Sequence, residues 1–139
     1  LAIFGWTQIL MDLQPLFSIL TGIGNLHGIS HTYFGAIVIG IISAISGNFF
    51  INLASNYDIE IKKIKSTSKI IYISAFIGSF SHIVLDSIMH SDMKPFYPFS
   101  PENNILHFIT INQLHDICIY TGIIGLFFIF CLKKMLKLK

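Results

Sequence analysis

Between residues 13 and 57 this chain has no formally charged side chain. Soluble domains place a charge at about one position in four, whereas Asp, Glu, Lys and Arg make up 12% of these 139 residues. Hydrophobic residues make up 53%, and the mean hydropathy is +0.72. Such a chain belongs in lipid.

Four stretches reach the roughly 20 residues that a spanning helix needs, at positions 1–23, 33–56, 70–89 and 109–132. The first is interrupted by Asp12 and Pro15. The second is punctuated by Gly35, Gly40 and Gly47, small residues that let helices approach closely. The third carries Ser79, Ser81, His82 and Asp86 in its second half, and the fourth is polar at its start (Asn112, Gln113, His115, Asp116) and apolar afterwards. The expected fold is all-α, a single transmembrane helical domain over residues 1–139 built as a bundle of about four membrane-spanning helices. Cys118 and Cys131 lie on one expected helix, about 20 Å apart by helical rise, too far for a disulfide. The chain opens at Leu1 rather than at a methionine, which leaves room for a missing upstream segment, and no basic signal-peptide region is legible at its start.

Lysine placement orients the spans. Lys62, Lys63, Lys65 and Lys69 fall between spans two and three, and Lys133, Lys134, Lys137 and Lys139 follow span four. With four spans both clusters share one side, which the positive-inside rule makes cytoplasmic. Lys94 alone falls opposite. Every basic residue is a lysine and the net charge is only +2, so neither bidentate phosphate recognition nor a nucleic-acid partner is expected.

In this topology every histidine gathers at the outer face. His27 and His31 fall in the first outer connection, and His82, Asp86 and His90 follow one another at spacings of four down the outer half of span three. Residues four apart share a helix face, so the last three form a stripe. An ionisable group costs about 2.5–3.5 kcal/mol at a bilayer centre on insertion scales, which calls for mutual pairing or a metal. Imidazoles with a carboxylate suit Zn²⁺, with Mn²⁺ or Fe²⁺ as less selective alternatives. The bland counterpart is an interhelical hydrogen-bond network without metal. Asp12, mid-span, is a candidate ligand, orienting group or proton carrier, against a helix-packing aspartate paired with Gln8. Asp92 is a second spare carboxylate, a ligand or general base against a simple turn cap. Phe96, Tyr97 and Phe99 in the proline-rich outer loop suit an interfacial aromatic belt. His115 can face the site, and His107 reads as interface.

Three blocks, MDLQP, LHGISHTYFGA and SHIVLDSIMHSDMKPFYPFS, carry a likeness. In them the chain resembles the predicted membrane-bound metal-dependent hydrolases related to the bacterial inner-membrane YdjM proteins. The matching positions are Asp12; His27, His31 and Thr32; His82 and Asp86; and Pro98, Phe99 and Ser100, with His90 and Asp92 extending the third block. Members often carry a further histidine near the N-terminus, and this chain has none before His27. The resemblance implies an integral protein of a prokaryotic cytoplasmic (inner) membrane.

Together these observations lead us to expect a membrane hydrolase acting on an ester or phosphoester amphiphile at the outer face. Its divalent metal, Zn²⁺ in first place, would be held by His27, His31, His82, Asp86 and His90. Asp12 or Asp92 would act as general base. The rivals are a metal or proton transporter, a haem-binding protein and a structural membrane partner. Four spans are few for a transporter, and the inner half of the bundle offers no second polar site.

Overall fold

The computed structural model describes residues 1–55 and 68–137. It is all-helical, with α1 (Ala2–Thr21), α2 (Tyr33–Ser55), α3 (Ser68–Met89) and α4 (Ile111–Lys137), and a short 3₁₀ turn at Ile29–His31 before α2. Three segments, Tyr33–Ala54, Ser68–Met89 and Ile111–Met135, are long and apolar enough to cross a membrane by length and composition. Helix α1 has the 20 residues of a span, but Gln8, Asp12, Gln14 and Pro15 interrupt its apolar character. Lys62, Lys63, Lys65 and Lys139, on which half of the lysine argument rests, lie outside the described residues.

The chain packs as two units, Leu1–Leu106 and His107–Lys139. The first is a bundle of α1, α2 and α3. Gly78 of α3 lies against Phe4 and Thr7, and His82 reaches Gln8 and Asp12, so α1 and α3 run parallel. Helix α2 runs against both, with Ile3 beside Gly47 and Phe76 beside Gly40. Small residues fill the seams: Ala36, Ser43, Ala44, Ala75 and Ser79 are all but fully buried. One apolar cluster joins Ile3, Ala44, Ile71 and Ala75, and a second joins Met11, Ala36, Ile83 and Met93. Large side chains such as Phe17, Phe34, Ile45 and Ile77 point outward. Lipid tails are as apolar as leucine, so helices in a membrane associate by close packing of small residues. The observed distribution is that pattern.

Local signals end the helices. Gly22, with φ of 68°, closes α1 in the left-handed conformation and returns its N–H to the Ser18 carbonyl, the αL C-cap. Thr32 opens α2, its Oγ1 accepting from the Gly35 N–H at 2.9 Å, an N-cap bond. The outer loop after α3 docks back on this start, with the Tyr33 N–H donating to the Pro95 carbonyl at 2.8 Å and Met93 buried.

The second unit is carried by α4. Thr110 Oγ1 accepts from the Gln113 N–H at 3.2 Å, and Gln113 Oε1 accepts from the Thr110 N–H at 3.0 Å, a reciprocal capping box. Cys118 and Cys131 are both free thiols.

Candidate metal centre

The αL stop of α1, the 3₁₀ turn and the cap of α2 bring Asp12, His27 and His31 to the end of α3 that carries His82, Asp86 and His90. His82 and Asp86 share a face of α3, with Nε2 and Oδ2 3.1 Å apart. From α1, Asp12 Oδ1 comes within 3.3 Å of His82 Nε2. From the 3₁₀ turn, His31 Nε2 comes within 3.5 Å of Asp86 Oδ2. The rings of His27 and His31 meet edge to face with centroids 5.0 Å apart, and those of His27 and His90 stack at 4.4 Å. Asp92 reaches His27 Nδ1 with both carboxylate oxygens at 2.9 Å.

All seven residues singled out from the sequence therefore lie in one cluster. They form three sets whose ligand atoms are within 4.8 Å of one another: Asp12, His31 and His82; His27, His31 and Asp86; and His27, His90 and Asp92. His107, His115 and Asp116 belong to the second unit.

The donor set passes a test of fit for a cation. His31 is 1% exposed and His82 8%, and Nε2 of each is buried without a hydrogen-bond partner. Both atoms face the same carboxylate oxygen, Asp86 Oδ2, at 3.5 and 3.1 Å. Bonds of about 2.1 Å to a tetrahedral Zn²⁺ place neighbouring ligands about 3.4 Å apart. The separations of 3.1, 3.3 and 3.5 Å found here bracket that value.

His82 and His31 each have a partner at Nδ1 that leaves Nε2 as the available nitrogen. His82 Nδ1–H donates to Gln8 Oε1 at 2.6 Å, and the Gln8 amide donates to the Gly78 carbonyl at 3.1 Å. His31 Nδ1–H donates to Ser30 Oγ at 2.9 Å, and the Ser30 hydroxyl donates to Gln14 Oε1. His27 Nδ1–H donates to Asp92. Partners of this kind fix the tautomer and aim of metal-binding histidines. Gln14 and Ser30 escaped the sequence reading, and Gln8 pairs with His82 rather than with Asp12. The one signal for them was amide and hydroxyl side chains in apolar surroundings, which does not say what they orient.

Electrostatics agree with a ligand role outside the spanning segments. Burial pushes the His31 pKa down to about 4, against the pull of Asp86, so its imidazole is neutral at pH 7, the form that binds metal. Desolvation acts to raise Asp92, yet the hydrogen bond and charge of His27 hold its carboxyl below the usual range. Beside His27 opens a cleft of about 340 Å³ whose rim includes Asn25, Thr32, Lys94 and Tyr97. Asp12, with 62% of its side chain accessible, forms an open flank of the cluster.

No curated protein and no solved structure matches this chain. A family model does match, over residues 8–136, a range that takes in every residue of the cluster. With its spanning-length apolar helices and buried polar site, the chain belongs to the YdjM inner membrane protein family and is an integral protein of the inner membrane.

Proposed function

We propose that this protein is a metal-dependent hydrolase of the membrane's outer face, cleaving an ester or phosphoester in an amphiphilic substrate. The observation that carries this reading is the pair of buried Nε2 atoms, of His31 and His82, that converge on the Asp86 carboxylate without a well-formed hydrogen bond. His31, His82 and Asp86 would hold the ion, with His27 and His90 adjoining. A divalent cation in such a site supplies Lewis acidity, drawing charge from a carbonyl or phosphoryl oxygen and acidifying water. Gln8 and the Gln14–Ser30 pair keep the imidazoles in the binding tautomer. Asp12, on the open flank, takes a proton from the attacking water at Oδ1 as general base. Lys94 on the rim of the cleft supports an anionic group on the substrate, which favours a phosphoester. The lysine asymmetry supports the outer face as the side of the site.

The test is turnover by metal-loaded protein in detergent against a panel of lipid esters and phosphoesters. Chelation should abolish cleavage and added Zn²⁺ or Mn²⁺ should restore it. Asp12→Asn should keep the metal and lose about 10²–10⁴-fold in rate, the usual contribution of a general base. A metal-replete protein inert on the whole panel, yet moving metal across proteoliposomes, would hand the site to a transporter.

A further inference from the structure

We infer that the cluster is built for two metal ions, with Asp86 as the shared carboxylate, an inference that rests on the metal reading above. Donors are too numerous for a single cation. A tetrahedral site takes four ligands, and a catalytic one keeps a position open, leaving three from the protein. Four imidazoles and three carboxylates converge here.

The donors also divide. Asp12, His31 and His82 form one set, and His27, His90 and Asp92 form another that shares no member with it. Asp86 lies between them. Its Oδ2 is 3.1 Å from His82 Nε2 and 3.5 Å from His31 Nε2, and Asp86 also groups with His27. A carboxylate has two oxygens and about four lone-pair sites, enough to serve one ion on each side. Paired ions in hydrolytic sites sit about 3.5–4 Å apart, a spacing that one bridging carboxylate spans. The first position is His31, His82 and Asp86, with Asp12 on its open flank. The second is His27, His90 and Asp92, next to the cleft where Lys94 stands.

This division reassigns Asp92 from spare base to ligand. Both of its oxygens lie 2.9 Å from His27 Nδ1, so an ion held by this pair would take the place of the proton that His27 Nδ1 shares with Asp92 in the metal-free protein. It also explains the stacking of His27 on His90. As donors to one ion they belong together.

The experiment is titration of metal-stripped, detergent-solubilised full-length chain with Mn²⁺, read by elemental stoichiometry and electron paramagnetic resonance. The expected result is two ions per chain at saturation, with the broadened spectrum of an exchange-coupled pair. His90→Ala and Asp92→Asn should each fall to one ion with an uncoupled six-line spectrum. The ion they retain reports that the bundle has survived the change. His82→Ala should lose the first position and the coupling with it. One ion per chain in the unmodified protein overturns the inference, and so do two ions retained in His90→Ala. Because no outcome depends on turnover, two coupled ions support it even in a protein that cleaves nothing. A hydrolase saturated by one ion refutes it while leaving the proposed activity standing.

Discussion

His31 decides much at the scale of single residues. It precedes α2 by two positions, is 1% exposed, and holds Nδ1 against Ser30 while Nε2, without a hydrogen bond, faces Asp86. Burial brings its pKa from 6.5 to about 4, aided by the neighbouring histidines and opposed by Asp86. In metal-free protein the unfolded chain therefore binds a proton below about pH 6.5 that the folded His31 refuses until about pH 4. Stability from this residue is whole above pH 6.5 and drains away as the pH falls through that window, by about 3 kcal/mol. Unfolding midpoints of stripped protein from pH 7 to pH 4 should fall accordingly, and His31→Gln should flatten the profile; equal slopes in the two proteins would refute the assignment. The histidines and aspartates were legible in the sequence because ionisable groups stand out in apolar surroundings. Gln8, Gln14 and Ser30 were not, because their value lies in which nitrogen they occupy, and that needs coordinates.

Element ends, more than element interiors, build the centre. The apolar stretches at 33–56 and 70–89 anticipated α2 and α3 closely, since hydropathy and length alone define such helices. The 3₁₀ turn at Ile29–His31 was not foreseen. Three residues carry no periodicity, and the turn is held by long-range bonds to Gln14 and by the cap of α2. Gly35, read only as a packing residue, proves to hold this turn in place. A Cβ there would overlap the Ile29 carbonyl oxygen and come within 2.7 Å of the Ser30 carbonyl oxygen, both of them backbone atoms that cannot rotate away. Gly47 faces the flexible end of Ile3, with Cδ1 2.5 Å from its added Cβ, a contact that a rotamer change relieves. Gly35→Ala should therefore cost about 1–3 kcal/mol, the usual cost of overpacking, and weaken metal binding by displacing His31. Gly47→Ala should cost less and leave binding unchanged. Thermal unfolding and metal titration of the two variants would expose an error if their order reversed.

For the whole molecule, the membrane turns a list of polar residues into a site with a side. Asp12 explains why α1 is as long as a span without matching the apolar character of the others: its polar face serves the cluster instead of lipid. If α1 nevertheless spans, the chain crosses four times and both of its ends are cytoplasmic, as the lysines require. Moving positive charge outward is opposed by the same asymmetry that sets loop orientation, so we expect the eight lysines at the two inner segments to hold the cluster at the opposite face. We expect Glu102→Cys, in the exposed loop after α3, to react with a membrane-impermeant thiol reagent from the outer side of intact cells, with Cys118 and Cys131 replaced by Ser. A cysteine at position 64, between Lys63 and Lys65, should react only once the inner side is opened. Reversed labelling would put the donors of α3 at the cytoplasmic face and change the substrates within reach. Labelling of both positions from one side would mean that an even number of crossings separates them, and would remove α3, the one helix between them among the described residues, from the spanning set. The expected pattern leaves a metal site open to the outer leaflet, where an amphiphile can present its headgroup to the Lys94 cleft while its tails stay in lipid.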